Sequence, residues 1–486
     1  MSRNIRVVGI LMLAMFLAMF SSSTIIQMIQ APNLNADPRN TRTLIASYEI
    51  ARGPILVDGN PIAYSEPDGT DYMYQRIYTE GELYAPVTGY YSANQGSTNL
   101  ESAMDAELSG RSDAQFFSSL SNLFTGEQQA GAAIETTIIP VAQEAAWNAL
   151  DGRPGAVIAY NPETGAIYAM VSTPSYDPNN LAMHDDAEIL ANYNGLLNDP
   201  SNPLYNRATA GNMNPPGSVF KLVIAAAALE EGIATIDGEL DNPAEWTLPG
   251  STAKVYNPNH GQTCGSGDTT SLRTAIEFSC NIPFAQLAVE LGDEKIREMA
   301  EAFGFNQSFS VPFDSAASVY PTTTLDDAQT ALTGFGQYEV RATPLQIAMI
   351  SGAIANGGEL IQPTLVDQVL APNLQVLQGP QIESVGSPIS AETAEALTSM
   401  MQDSVSSGVA SNAQISGIDV AGKTGTAENG EGEPYSLWFT GFAETDDEQV
   451  AVAVVLEDGG GMGQSGTGNG LAATIGQQVI KAVLEV

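Results

Sequence analysis

The chain has 486 residues, more than one ordinary hydrophobic core holds, so two folded units plus a tail or anchor are expected. Its 56 acidic residues against 17 basic ones leave a net charge of −39, which excludes nucleic acid as a partner because neutralising phosphates takes clustered Lys and Arg. The only histidines are His184 and His260 and the only cysteines Cys264 and Cys280, so no cluster has zinc-site spacing and a Ser-His-Asp triad is poorly supported; a nucleophilic serine here needs another base. The acidity reads as a well-solvated surface, with adaptation to high salt as the alternative.

Val7 to Ala36 carry no charge, and Arg3 and Arg6 stand before them. The apolar run Val7–Phe20 resumes after three serines as Thr24–Ile29, and together these reach the ~20 residues that cross a bilayer. The two arginines orient such an anchor with its N-terminus in the cytoplasm. Val7–Phe20 followed by small residues also fits a cleaved signal peptide; in both readings the rest of the chain is exported. Ala31–Thr43 is polar, contains two prolines and reads as a linker. From Leu44 to Tyr91, short alternating runs broken by turns, such as Gly53–Val57 ending at Asp58-Gly59, predict a small β-rich module. Asn94–Ser121 is more helical and polar, and Gly126–Ala132 reads as a joint.

A second unit begins near Ile134. Val141–Trp147 has helical character, and Ala156–Tyr160 and Ala166–Val171 read as strands with Asn161–Gly165 as the turn between them. Next comes Pro215-Pro216-Gly217, then Ser218-Val219-Phe220-Lys221, opening the alanine-rich helical run Phe220–Glu230. A serine at a helix start meets exposed N–H groups and a dipole that favour developing negative charge. A lysine three residues on shares its helical face and can serve as base if burial or a second cation lowers its pKa. Lys423 is a candidate for that second cation. Ser251-Thr252-Ala253-Lys254 repeats the SxxK spacing, but it lies in a turn-rich stretch without helical period, so its serine and lysine do not share a face.

Ser279-Cys280-Asn281 follows the helical run Leu272–Phe278 and precedes Pro283, as a helix-end loop presenting a hydroxyl and an amide. Lys423-Thr424-Gly425 follows Ile418–Gly422 and enters a strand, whose edge beside a cleft pairs with an extended peptide; Gly425 lets backbone approach closely. Taken singly, each pattern has a plain reading: an N-cap serine near a solvated lysine, a random Ser-x-Asn, a lysine in a glycine-rich turn. The chain has only five lysines, and two of them complete this ordered trio, which reverses the balance. Trp438–Ala443 and Val450–Leu456 around the acidic turn Glu444–Glu448 predict a hairpin. Leu471–Val486 predicts an amphipathic closing helix with Ile475, Val479, Ile480 and Val483 on one face. Strands, then many helices, then strands and a helix give an α+β fold, an antiparallel sheet with helices on both sides.

SxxK, SxN and KTG in this order resemble the motifs of the penicillin-binding proteins and related serine β-lactamases. The resemblance extends through Gly155–Ala159, Thr173–Asn179 and Gly336-Gln337 … Thr343–Gln346, so it covers roughly Ile134 to the C-terminus. Upstream, Arg52-Gly53 and Tyr84–Gly89 resemble the N-terminal domain of class B members, closest to the actinobacterial penicillin-binding protein A group. The division this implies is 1–30 for a cytoplasmic tip and membrane anchor, 31–133 for the class B dimerisation or pedestal-like module, and 134–486 for the transpeptidase domain. No glycosyltransferase domain is recognised.

The resemblance implies a D,D-transpeptidase that cross-links peptidoglycan stem peptides and is acylated by β-lactams. Ser218 is then the nucleophile, Lys221 its base, and Ser279 the relay to the departing D-Ala. The N–H groups of Ser218 and Thr426 form the oxyanion hole; Lys423, Thr424 and Thr426 hold the substrate carboxylate and Asn281 its amide. Neither metal nor cofactor is implied. The expected partners are D-Ala–D-Ala stem peptides, β-lactams, the membrane, and a polytopic glycan polymerase of the shape, elongation, division and sporulation family. Rival readings are a carboxypeptidase or β-lactamase-type hydrolase and a non-catalytic scaffold. Cys280, inside SxN, has no histidine near it in sequence and is a poor nucleophile; export favours a disulfide with Cys264 that fixes the SxN loop.

Overall fold

Gln449–Leu456 is a run without charge or glycine, and it forms the middle strand of a five-stranded antiparallel sheet. The strand order is Ala421–Ala427, Ser436–Glu444, Gln449–Leu456, Gly155–Tyr160, Ile167–Thr173. Alternate residues of the middle strand enter two cores. Ala451, Ala453 and Val455 join a cluster with Leu222, Ile347 and Ile350, from the helices Lys221–Glu230 and Pro344–Ala355. Val450, Val452, Val454 and Leu456 join another with residues of Pro140–Leu150 and Ala472–Leu484. A strand covered on both faces reads as an unbroken apolar run, as this one does. The predicted hairpin closes with Glu444 opposite Gln449. Ile475, Val479, Ile480 and Val483 are all buried, the face the sequence assigns to the closing helix. The fold is α+β, with helices on both sides of the sheet.

The computed structural model describes residues 3–26, 48–69, 72–115, 130–258 and 261–485. The linker Ala31–Thr43, the apolar Met28-Ile29 and His260 fall outside these, as do most of the Gly126–Ala132 joint and the end of Asn94–Ser121. Ala132, the end of that joint, is buried and its N–H donates to Glu107 O at 2.9 Å. Arg3–Thr24 is one helix, long and apolar enough to cross a membrane, with its large side chains exposed.

The β-rich module is built partly from distant chain. Its sheet runs Val376–Gln378, Val366–Leu370, Ala133–Thr136, Ile55–Val57, Asn60–Pro67, Tyr74–Tyr78. Residues 133 and 134 are therefore neighbours in one strand, and that strand pairs in parallel with Ile55–Val57. Tyr84–Thr88, grouped with the strands by sequence, lies instead in the helix Gly81–Thr88, where Leu83, Tyr84 and Val87 turn into the core; Pro86 falls in its last turn. Glu101, fully buried, is held by Arg52 Nε at 2.5 Å and Arg76 Nε at 2.7 Å. Burial raises its pKa, but the Arg76 and Arg52 guanidiniums win and hold it below the ordinary glutamate value.

Candidate active site

Ser218 lies in the short 3-10 turn Gly217–Phe220, which runs directly into the helix Lys221–Glu230. Gly217 takes φ +54°, and its N–H donates to Gly336 O at 3.0 Å. A Cβ on Gly336 would stand 2.1 Å from Gly217 O, so only glycine fits there. Ser218 is half-buried, while Lys221, one turn on, is completely buried.

The SxN motif is the joint between two helices. Leu272–Glu277 ends with Cys280 N donating to Ala275 O at 3.0 Å and Ser279 N to Ile276 O at 3.2 Å, the pair of bonds of a Schellman ending. Ser279 fills the left-handed position of that ending at φ +55°, where glycine is the usual residue. Asn281 is then the N-cap of Ile282–Leu291, with Pro283 in its first turn. The left-handed Ser279 and the right-handed Asn281 on either side of Cys280 bring the Ser279 hydroxyl and the Asn281 amide oxygen to the same amine, that of Lys221. The disulfide Cys264–Cys280 ties the middle of this joint to a segment 16 residues upstream.

KTG lies within the edge strand Ala421–Ala427. The alternation of a strand puts Lys423 and Gly425 on one face and Thr424 and Thr426 on the other. The neighbour that Gly425 admits is the protein's own: a Cβ there would lie 2.9 Å from Pro216 O and 3.1 Å from Trp438 Cβ. The Trp438 indole N–H donates to Pro215 O at 2.9 Å, fixing the Pro-Pro-Gly approach to Ser218 against the sheet. Thr424 Oγ1 donates to Val409 O at 3.3 Å; exposed Thr426 accepts from Gly468 N at 3.2 Å.

These elements bring both motif lysines to the SxN joint. Lys221 Nζ donates to Ser279 O at 2.7 Å and to Asn281 Oδ1 at 2.8 Å, and stands 3.5 Å from Ser279 Oγ. Lys423 Nζ donates to Ser279 Oγ at 2.7 Å and to Thr424 O at 2.8 Å. Neither ammonium has a carboxylate among these partners, and both lysines are at 0% exposure. Burial, followed by repulsion from Lys423, lowers the Lys221 pKa well below the ordinary lysine value. Burial lowers that of Lys423 to about 7. Two fully buried amines this close favour at most one charge between them, which leaves one amine a base near neutrality.

The second SxxK has no such setting. Lys254 is exposed at the start of the strand Lys254–Tyr256 and pairs with Glu245, and Ser251 Oγ accepts from Ala253 N within the turn. The same hairpin does contribute what the sequence did not single out. Asn257, 2% exposed, accepts from the N–H groups of Asn281 and Ile282, and Tyr256 O accepts from Asn281 Nδ2. The one local signal is the turn dipeptide Asn257-Pro258.

A family profile described as the penicillin binding protein transpeptidase domain matches residues 155–481, and one described as the penicillin binding protein A dimerisation domain matches 52–134. The chain is 39% identical over 493 residues to the peptidoglycan D,D-transpeptidase PbpA of Mycolicibacterium smegmatis, covering 100% of this chain and 99% of that protein. Among solved structures it is similar to penicillin-binding protein A from M. tuberculosis. The ceftriaxone acyl-enzyme complex gives 38% identity and a TM-score of 0.85, and the penicillin G acyl-enzyme complex 39% and 0.83. Each match covers 90% of this chain and 100% of the other. The transpeptidase match takes in the five-stranded sheet, all three motifs and most of the closing helix, and the chain belongs to the penicillin-binding protein transpeptidase family.

Proposed function

We propose that the chain is a peptidoglycan D,D-transpeptidase acting through an acyl-enzyme on Ser218. The observation that carries this reading is the convergence of two buried lysines, with no carboxylate among their described hydrogen-bond partners, on the Ser279 hydroxyl, Lys221 starting the helix that the Ser218 turn runs into. Neutral Lys221 takes the Ser218 hydroxyl proton as Oγ attacks the D-Ala–D-Ala carbonyl carbon. The oxyanion sits on the N–H groups of Ser218 and Thr426, worth about 3 kcal/mol per donor. As the C–N bond breaks, the proton passes from Lys221 through Ser279 Oγ to the leaving nitrogen, and D-Ala departs. An acceptor amine from a second stem peptide then attacks the ester, returns a proton to Ser218 Oγ and leaves cross-linked.

Lys423, Thr424 and Thr426 bind the terminal carboxylate of the donor, and the edge strand Ala421–Ala427 pairs with its extended backbone. Asn281 orients Lys221 through its oxygen and offers its second amide hydrogen to a substrate carbonyl. β-Lactams acylate the same serine and stay. We assign residues 1–30 to a cytoplasmic tip and membrane anchor, 31–133 to the dimerisation or pedestal-like module, whose sheet also takes in the rest of Ala133–Thr136 and the strands Val366–Leu370 and Val376–Gln378, and the remainder of 134–486 to the catalytic domain outside the membrane. Arg3 and Arg6 support that orientation. A polytopic glycan polymerase of the shape, elongation, division and sporulation family is the proposed partner, since new strands must be polymerised before they are cross-linked.

The test is product analysis. The full chain in detergent is incubated with a pentapeptide stem donor and an excess of acceptor stem peptide, beside Ser218→Ala. A cross-linked product that disappears with Ser218→Ala supports the reading. Tetrapeptide alone identifies a hydrolase, and no turnover with folded protein leaves the scaffold.

A further inference from the structure

Helix Ile282–Leu291 starts with an apparent conflict. Its N-cap, Asn281, is a residue type whose side chain ordinarily accepts from the first-turn N–H groups. Here that side chain makes no cap bond. Its oxygen accepts from Lys221 Nζ at 2.8 Å and its nitrogen donates to Tyr256 O at 2.9 Å. The cap is supplied from elsewhere: Asn257 Oδ1 accepts from Asn281 N at 3.0 Å and from Ile282 N at 3.1 Å.

Asn257 is itself fixed. It is 2% exposed, and its Nδ2 donates to Gln262 O at 3.3 Å. It follows the strand Lys254–Tyr256, which pairs with Glu245–Thr247, and Val255 of that hairpin packs in one small core with Ile282 and Ala285 of the helix. The hairpin thus grips the Asn281 backbone with one side chain and the Asn281 side chain with the adjacent carbonyl. The Tyr256 carbonyl also decides the amide's orientation: with nitrogen bound there, oxygen is the end that faces Lys221.

We propose that Asn257 is a positioning residue for acylation, capping the helix in place of Asn281 so that the Asn281 amide stays on Lys221. Without it, the unpaired N–H groups of residues 281 and 282 compete for the Asn281 oxygen, and Lys221 loses the acceptor that aims its amine. The inference rests on the acyl-enzyme reading of Ser218 and Lys221.

A double-mutant cycle tests it. The second-order rate of acylation by a fluorescent penicillin is measured on the full chain for wild type, Asn257→Ala, Asn281→Ala and the double variant, with Asn257→Asp and Ser218→Ala alongside. Asn257→Ala is expected to slow acylation about 10–100-fold in the wild-type background, the range for a misplaced catalytic group. In the Asn281→Ala background it should add less than about 3-fold, because its effect travels through Asn281. Asn257→Asp keeps the acceptor oxygen and recovers most of the rate. If Asn257→Ala fails to fold, Asn257→Asp against Asn257→Leu, each with and without Asn281→Ala, carries the same comparison. Unchanged acylation in Asn257→Ala, or an equal loss in both backgrounds, overturns the proposal. Wild type that takes no label, like Ser218→Ala, overturns the acyl-enzyme reading instead, and is distinguished because no variant then differs from any other.

Discussion

Lys423 Nζ lies 2.7 Å from Ser279 Oγ, and neither residue is more than 7% exposed. This contact joins KTG to SxN, and the carbonyl and hydroxyl of the same serine also lie 2.7 and 3.5 Å from Lys221 Nζ. Ser279 is therefore the residue at which all three motifs meet. An amine that donates to Oγ leaves the serine's own hydrogen free to move toward Lys221 or a leaving nitrogen, the geometry of a relay.

In the proposed relay, removing that hydroxyl isolates Lys221 from the leaving group. Ser279→Ala is expected to lower β-lactam acylation and transpeptidation by about 10²–10⁴-fold, the range for a positioned proton-transfer group. Stopped-flow labelling with a fluorescent penicillin measures it; a loss below threefold contradicts the relay.

The backbone of the same residue carries a separable effect. Ser279 holds φ +55° in a helix ending that favours glycine. Ser279→Gly should be more stable than Ser279→Ala by about 1 kcal/mol, because only alanine retains the left-handed penalty. Both should be equally poor in acylation. Urea unfolding of the two variants supplies the comparison, and the reverse order of stability refutes the assignment of strain.

The buried lysines fix the sign of two pH effects. Acylation needs a neutral amine, so its rate should rise with pH through a midpoint well below the ordinary lysine value of about 10.4. Stability moves the same way. A lysine whose folded pKa is lowered binds fewer protons folded than unfolded between about 7 and its unfolded value, so wild type gains stability as pH rises through that window. Lys423→Met removes the cost of burying that amine: it should be inactive yet more stable than wild type at pH 7, with the advantage shrinking toward pH 10. Paired urea titrations at the two pH values decide it, and an advantage that grows with pH is the contrary result.

How much of this was legible depends on range. The hairpin Ser436–Leu456 and the closing helix are local patterns, and their alternation or helical period is visible in the sequence. The SxxK helix is local too, and Lys254 could be set aside because its neighbours lack helical period. Lys423 beside Ser279 spans 144 positions and was reached through the recognised order of motifs, not through any pattern of its own. Strands Val366–Leu370 and Val376–Gln378 join a sheet begun more than 300 positions earlier, a pairing that no local window contains. Asn257 was missed for a similar reason. A single asparagine in a turn carries the same signal whether it caps its own segment or a helix 25 positions away.

The Cys264–Cys280 link closes a loop of 16 positions, for which the chain-entropy account gives about 3 kcal/mol. Because Cys280 is the centre of the SxN joint, Cys264→Ser with Cys280→Ser should lose roughly that stability and also acylate more slowly. Urea midpoints with acylation rates under identical conditions report both. Full activity with lowered stability would show that the joint holds its shape without the link.

The most direct test of the account is the site of covalent attachment. Full-length protein is treated with penicillin, its intact mass followed over hours, and the modified peptide sequenced, beside Ser218→Ala. The account predicts one persistent adduct, on Ser218, and none on the variant. An adduct on another residue, or equal labelling of Ser218→Ala, contradicts it.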